Sequence, residues 1–405
     1  MKRIVSLCFL ILTAVLGFLH LESLPAWAPF QLPEVISQDH GQDDQIDIGV
    51  AHQLQAKLDP RAGWLPDTGA ASVHAASMIA LKNGNVRAFW FAGTREGAAD
   101  VVINSAVFDI RSEQWSNPVV VIDRLQMEKN LWRYISKLGN PLPVRGADGQ
   151  LQLFFVTVSI GGWAGSSISA MSSDDEGVTW INPRRLITSP LLNLSALVKS
   201  PALQFSDGRM GIPAYHELIG KFGELLRIDE GRVIDKRRMS DGRSSIQPLV
   251  FVESPQNGVA YFRQARLSGP AKIAVSETKD SGQSWIVEGD LPIPNPNSAL
   301  AGLILKNGSR ILVANNLEQG RDRLVMLMAS DSSKDWKVIQ VLEDDEGLPD
   351  EQRREFSYPF LSVTSDGNVH LLYTWDRKRI RHVYFQSIWF DNAKANLREA
   401  RNESN

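Results

Sequence analysis

The sequence predicts an all-β fold, a six-bladed β-propeller of four-stranded antiparallel blades. Three observations carry that reading. A hairpin signal recurs six times: an apolar stretch, a turn of the Asp/Asn-Gly type and a second apolar stretch. Its turn glycines, Gly84, Gly149, Gly208, Gly258, Gly308 and Gly367, stand 65, 59, 50, 50 and 59 residues apart, near the period of a propeller blade. The composition, with 11 Trp and 30 Gly among 405 residues and few long helix-like runs, favours many short strands joined by tight turns. A four-stranded blade cannot bury both faces alone, and stacking blades around an axis buries them while leaving only short edges. Six blades at this period fill the segment 45–392, which therefore reads as one domain.

Ahead of the hairpins, Lys2 and Arg3 precede an apolar run from Ile4 to Leu19, and Ala26-Trp27-Ala28 has the small-x-small pattern of a signal-peptidase site. Pro29 follows that site directly, so residues 1–28 read either as a signal peptide or as an uncleaved N-terminal anchor. Both place the body outside the cytoplasm, in the periplasm or the extracellular space. Residues 29–44 read as a linker and 393–405 as a polar tail. The single cysteine, Cys8, lies in the apolar run, which leaves the body without a disulfide or a thiol site. Lys and Arg number 43 against 46 Asp and Glu, with no basic block to follow a phosphate backbone, so nucleic acid is not an expected partner. No second run is long and apolar enough to span a membrane.

Two turns between the hairpins share a further pattern. Ser173, Asp175, Gly177, Thr179 and Trp180 fit S-x-D-x-G-x-T-W, known as the Asp box, and Thr278, Asp280, Gly282, Ser284 and Trp285 repeat it with Thr leading. A weaker copy keeps Asp331 and Trp336 but has Ser333 where Gly is expected. The pattern is structural: the Asp carboxylate accepts backbone N–H groups, Gly permits a positive φ, and Trp plugs the gap between neighbouring sheets.

The repeat also says where a site lies. Residues entering the first strand of a hairpin meet those leaving the second at the end opposite the turn. The entering positions are His74, Asn140, Ser200, Gln247, Asn297 and Tyr358. The leaving positions are Arg95 with Glu96, Ser159, His216 with Glu217, Arg263, Asn315 and Trp375. Gathered on one rim, they form a polar mouth suited to a polar ligand. The bland alternatives are a strand cap for Tyr358 ahead of Pro359, surface ion pairs for Arg263 and Arg321, and a satisfied core position for His74. His216 and Glu217 open an H-E-x-x-H pattern that continues Leu218-Ile219-Gly220, so zinc is not expected, nor any other metal or cofactor. Phosphate-loop, dinucleotide and nucleophile-elbow motifs are missing from the sequence.

The two Asp boxes, the hairpin repeat and the segments FAGTREGAADV, KSPALQFSDGRMGIPAYHE and EFSYPFLSVTSDGNVHLLYTWDRKRIRHV resemble the BNR-repeat, sialidase-like proteins, the predicted neuraminidases, over nearly the whole chain after the leader. The resemblance implies a six-bladed propeller and a glycosidase with a Tyr nucleophile. Sialic acid carries a carboxylate on its anomeric carbon that would repel a carboxylate nucleophile, whereas a phenol activated by a nearby Glu avoids that cost. Arginines clamp the substrate carboxylate and an Asp serves as acid and base. Carried onto this chain, Tyr358 takes the nucleophile's position and Arg263 and Arg321 take two of three clamping positions; Arg95 and His216 are expected substrate contacts from their place on the rim alone. Asp100 takes the acid/base position, with Glu96 as competitor. His74 stands where the first clamping Arg is expected, and Gln247 where the activating Glu is expected. Gln cannot accept a proton from a phenol, so Glu217 from the neighbouring hairpin is the expected replacement base. The expected function is an exported, exo-acting sialidase-type hydrolase, a monomer that removes a terminal acidic sugar from a glycan. The alternatives are a carbohydrate-binding propeller without the chemistry and a periplasmic assembly or scaffold protein.

Overall fold

The structure, a computed structural model, describes residues 6, 8–13, 26–32, 59–189, 193–242, 244–266, 269, 271–329 and 335–403. Six antiparallel sheets form a six-bladed β-propeller. After β1 (Arg61–Trp64), blade 1 comprises β2 (Ser72–Ala80), β3 (Val86–Gly93), β4 (Val102–Asp109) and an outer strand in two pieces, β5 (Gln114–Trp115) and β6 (Val119–Ile122). Helix α1 (Arg124–Leu131), capped by the Asp123 carboxylate on the Gln126 N–H, leads into blade 2 with β7 (Lys137–Arg145), β8 (Leu151–Val158), β9 (Ser166–Ser173) and β10 (Ile181–Arg185). Blade 3 has a divided inner strand, β11 (Leu197–Val198) and β12 (Leu203–Gln204), then β13 (Met210–His216), β14 (Phe222–Asp229) and β15 (Arg232–Arg238). Blade 4 contains β16 (Ser245–Val252), β17 (Gly258–Gln264), β18 (Ala274–Thr278) and β19 (Ile286–Glu288). Blade 5 contains β20 (Ala301–Ile304), β21 (Arg310–Ala314), β22 (Arg323–Ala329) and β23 (Lys337–Asp344). Blade 6 takes β24 (Phe356–Val363), β25 (Val369–Trp375) and β26 (Arg379–Phe385) from the end of the chain and β1 from its beginning. That last pairing, Arg61 opposite Tyr384 and Trp64 opposite Arg381, closes the ring and removes its free edge.

Five of the six hairpins turn identically. In each, the residue three before the glycine accepts the glycine N–H and donates its own N–H to the carbonyl of the residue directly after the glycine, as Leu81 does with Gly84 and Asn85. Gly84, Gly149, Gly208, Gly308 and Gly367 all lie at φ between 79° and 88°, a conformation that L side chains rarely adopt. Gly258 departs from this expectation. Pro255 builds a longer turn there, Gly258 is the first residue of β17, and a Cβ on it would press within 3.2 Å of the Phe251 carbonyl.

The two complete S/T-x-D-x-G-x-S/T-W turns lie between third and fourth strands. Asp175 accepts from the Thr179 N–H and hydroxyl and from Ser173, and these bonds hold its carboxyl down to about 2. Asp280 is bonded in the same way by Ser284 and Thr278. Trp180 packs edge-on against Phe89 of the neighbouring blade. Asp331 and Ser333 of the weaker copy lie outside the described residues, while its Trp336 packs against Phe251 and Tyr261 of blade 4.

Residues 26–32 cross the hairpin-turn side of blades 3 and 4. Trp27 and Phe30 are 5% and 2% exposed, buried with Phe205, Leu225 and Phe262. The Trp27 indole N–H donates to Asp235 at 2.8 Å, the Phe30 N–H to the Pro255 carbonyl at 2.7 Å and the Gln31 N–H to the Gln204 carbonyl at 2.8 Å. The last residues of the expected leader thus pack as part of the body, whereas residues 14–25 and most of the expected linker, 33–44, lie outside the described residues. At the other end, helix α2 (Ser387–Glu403) runs through the expected boundary at 392 and packs Trp389, Phe390 and Leu397 against blades 5 and 6. No helix among the described residues is long and apolar enough to cross a membrane.

Candidate active site

The mouth is built by one backbone device repeated around the ring. In blades 1, 2, 4 and 6 the pairing of first and second strands skips two residues, between His74 and Ser77, Gly139 and Leu142, Ile246 and Leu249, and Ser357 and Phe360. The first skipped residue in each case has positive φ: Ala75 at 50°, Asn140 at 41°, Gln247 at 51° and Tyr358 at 53°. Such bulges bend a strand and re-aim a side chain, and non-Gly residues held at positive φ cluster at functional sites. Pro141, Pro248 and Pro359 follow three of them, where a missing N–H removes nothing from the ladder.

These bulges bring three blades together at Tyr358. Its hydroxyl accepts from Gln247 Nε2 at 3.2 Å and from Arg263 Nη1 at 3.3 Å. Arg263 also donates to Gln247 Oε1 at 3.1 Å, which fixes the amide with its NH2 toward the tyrosine. The same NH2 donates to Tyr215 Oη at 3.2 Å, and Asn140 Nδ2 reaches that oxygen at 3.2 Å. The third bond of Arg263 goes to Asn297 Oδ1 at 2.8 Å, so all its partners are neutral. His74 lies against Tyr358, ring centroids 4.4 Å apart, with neither ring nitrogen bonded, and burial pushes its pKa down to about 4. It is a neutral packing partner there, so it does not replace a clamping cation.

Beside this group lies a charged one, which the sequence pointed to only through Arg321 and Glu96. Arg321 bonds Glu355 at 3.0 Å and the Asn297 carbonyl at 2.8 Å. Arg377 bonds Glu355 at 2.8 Å and pairs with Glu96 at 2.5 Å. Burial pushes the Glu355 carboxyl up, but bonds from Arg377 and Ser357 and the charge of Arg321 outweigh it and hold it down to about 2. Arg377 sits in the three-residue loop between β25 and β26, where Asp376 and Arg377 have φ of 50° and 52°. Arg377, which the sequence analysis did not single out as a site residue, thus turns into the mouth.

The remaining expected residues are dispersed. Asp100 and Arg95 are exposed on the β3–β4 loop, and the Asp100 carboxylate is tied to the Thr94 hydroxyl and N–H, which lowers its pKa. Glu96 alone of that loop reaches the charged group. Glu217 is anchored through its N–H on Ser195 Oγ at 2.7 Å, and its charge adds to the burial that pushes Tyr215 well above the usual phenol range. The structure does not join Glu217 to Tyr358, whose bonded partners are Gln247 and Arg263, so the replacement base expected from the sequence is not in place. His216 stacks on Phe222 at 5.0 Å and takes no part in the cluster. A residue the sequence reading missed is Lys199, in the gap of the divided inner strand of blade 3. The rim on blades 2 and 3 is apolar, with Trp132, Ile160 and Ile219 exposed. A cavity of about 630 Å³ lies on the flank of blade 1, lined by Val119, Asp123, Met127 and Trp180, away from this cluster. Among the described residues no group of three or more His, Cys, Asp or Glu converges as a metal site.

Residues 84–371 match the BNR repeat-like domain family. No curated protein sequence matches the chain. Among solved structures it is similar to the Hadza microbial sialidase Hz136, at 13% identity and a TM-score of 0.63, covering 78% of this chain and 66% of that one. The intramolecular trans-sialidase of Ruminococcus gnavus, solved with oseltamivir carboxylate, aligns at 14% identity and 0.61, covering 80% and 96%. The NanB sialidase of Streptococcus pneumoniae aligns at 12% and 0.62, covering 81% and 70%. At these identities the likeness is one of fold.

Proposed function

The chain belongs to the BNR repeat-like family, with a sialidase-like glycoside hydrolase fold, and on that footing we propose that it is an exported, exo-acting hydrolase of the sialidase type that acts on a terminal acidic sugar. One observation carries the reading: Arg263, half-buried beside Tyr358, has neutral partners in all of its bonds, and none of these uses Nη2. A guanidinium drawn out of water without a carboxylate is a site for an anion. The carboxylate of the sugar takes Arg263 and competes with Glu355 for Arg321 and Arg377. Tyr358 Oη then bonds to the anomeric carbon as the bond to the departing oxygen breaks; the phenol proton passes to solvent water, since Gln247 cannot accept it, and a protonated carboxyl of the β3–β4 loop gives the departing oxygen its proton. Glu96 holds this position better than Asp100, which Thr94 ties into its own loop. Water, deprotonated by the same carboxylate, afterwards releases the sugar from the tyrosine.

Gln247 favours a second reading, a propeller that binds the acidic sugar and does not cleave it. It donates to Tyr358 and cannot take the phenol proton. Hydrolysis of a fluorogenic sialoside by the full chain, abolished by Tyr358→Phe, supports the hydrolase. Sugar binding that is lost in Arg263→Gln, with no turnover in the wild type, supports the binder. Neither binding nor turnover across a panel of acidic glycans would end both.

A further inference from the structure

Lys199 stands in the gap of the inner strand of blade 3 and is 7% exposed. Its ammonium donates to the Leu300 carbonyl at the entrance of blade 5 and to the Pro359 carbonyl in blade 6 at 2.7 Å. A side chain that leaves blade 3 and ends on blades 5 and 6 crosses the axis of the ring, and Pro359 is the residue after Tyr358. Neither acceptor is charged, and no carboxylate is bonded to Lys199 among the described residues. Ionised side chains are almost never this buried without a counter-ion, because the desolvation penalty is several kcal/mol. The charged neighbour that acts on it is Arg263, itself without a carboxylate partner. The titratable groups at the same place are Tyr358, with Tyr215 and His74 joined to it as described; the carboxylates Glu355 and Glu96 are engaged by Arg321 and Arg377.

We propose that Lys199 is a positioning residue of the mouth: it fixes the Tyr358–Pro359 bulge across the axis and, with Arg263, supplies the uncompensated positive charge that draws an anionic group onto Tyr358. The proposal rests on the reading of the mouth given above and adds to it a source of charge outside the arginines. Burial and the nearby Arg263 charge push Lys199 down to about 7 from an ordinary value of 10.5. Its charge is therefore present below neutrality and withdrawn above it. Two cations without a counter-ion give an anion its strongest attraction when both are charged, and removing one costs roughly tenfold in affinity at an effective dielectric of about 20.

The test uses the full chain and two readouts. Binding of N-acetylneuraminic acid and, separately, of sulfate is measured by calorimetry from pH 6 to pH 9. The wild type is expected to lose about tenfold in affinity over that range, whereas Lys199→Gln and Lys199→Met bind weakly and equally at both ends. In the ligand-free protein the folded-state pKa lies below the unfolded one, so the unfolded chain binds the extra proton above neutrality and wild-type stability rises with pH in that window. That rise in melting temperature is expected to vanish in Lys199→Met. Lys199→Gln keeps a donor for the Pro359 carbonyl and serves as the variant if Lys199→Met fails to fold. A wild-type pH profile retained in folded Lys199→Gln would overturn the proposal, as would a melting temperature without the rise. Sulfate binding that depends on Lys199 while N-acetylneuraminic acid is not bound would uphold the charge and remove the acidic-sugar reading.

Discussion

Replacing Gln247 with Glu puts a carboxylate oxygen where the amide nitrogen now sits, 3.2 Å from Tyr358 Oη and 3.2 Å from Tyr215 Oη. Both hydroxyls can rotate to donate to it, so the substitution removes no bond at this buried position. A positioned general base contributes roughly 10²–10⁴-fold, or about 3–5 kcal/mol at about 1.36 kcal/mol per decade. Arg263 limits the gain. Its Nη1, now 3.1 Å from Gln247 Oε1, would hold the new carboxylate ionised and lower its basicity, which draws the expected increase toward the lower end, about 100-fold in kcat. The same pairing gives Arg263 the counter-ion it lacks, so KM for an anionic sugar rises several-fold. The assay is release of 4-methylumbelliferone from its sialoside by wild type, Gln247→Glu and Gln247→Glu with Tyr358→Phe. The double variant should fall back to the baseline of Tyr358→Phe. A folded Gln247→Glu protein that binds the sugar without any gain in turnover would refute the assignment of Tyr358 as a nucleophile short of a base.

Two further expectations concern the body of the protein. Trp27→Ala removes an indole 5% exposed, its bond to Asp235, its edge-on contact with Phe205 and the Arg227 guanidinium over its ring, so it should cost about 3–5 kcal/mol in a denaturant titration. N-terminal mapping of the protein recovered from its producing cells should find Trp27 retained, and a mature form that starts at Pro29 with unchanged stability would contradict this packing. His370 and His382 lie with their rings parallel and His370 Nδ1 2.9 Å from His382 Nε2, and burial pushes His370 down to about 4 and His382 well below 6.5. Their folded values lie below the unfolded one, so the stability they contribute is complete above about 6.5 and is lost as pH falls through 4, on the order of 3 kcal/mol for His370. The melting temperature should drop steeply between pH 6 and 4 in the wild type and less steeply in His370→Leu.

What the sequence disclosed and what it withheld divide along one physical line. The hairpins were legible because their turns are local: a type I turn closed by a glycine at positive φ leaves a fixed spacing, and only Gly258, displaced by Pro255, was misplaced by that rule. The aim of Gln247, Asn140 and Tyr358 into the mouth was legible for a similar reason, since each precedes a proline at the same step of its strand. Arg377, Glu355 and Lys199 depend on ring closure. Arg377 pairs with Glu96 across 281 residues, and Lys199 reaches a carbonyl 160 residues away. No spacing rule relates such residues until blade 6 has met blade 1. Glu217 shows the converse failure, because adjacency of hairpins in sequence placed it near Tyr215 but not at Tyr358.

The uneven distribution of charge in the mouth also bears on which acidic sugar the proposed hydrolase would take. Arg321 and Arg377 already share Glu355, so an incoming carboxylate meets a competitor there, and at Arg263 it meets none. Arg263 is bonded to Tyr358 Oη itself at 3.3 Å, so an anion held by its remaining N–H groups would lie within a few ångströms of the proposed nucleophile. A sugar whose carboxylate is carried on the anomeric carbon meets both demands at once. A uronic acid, with its carboxylate at the far side of the ring, can satisfy Arg263 only by withdrawing the anomeric carbon from Tyr358. Discrimination should therefore appear in kcat more than in KM, because the uronic acid still finds the cation but not the attack geometry. Matched 4-methylumbelliferyl glycosides of N-acetylneuraminic and glucuronic acid would measure it, and equal kcat values for the two would show that Arg263 and Tyr358 do not act on the same sugar.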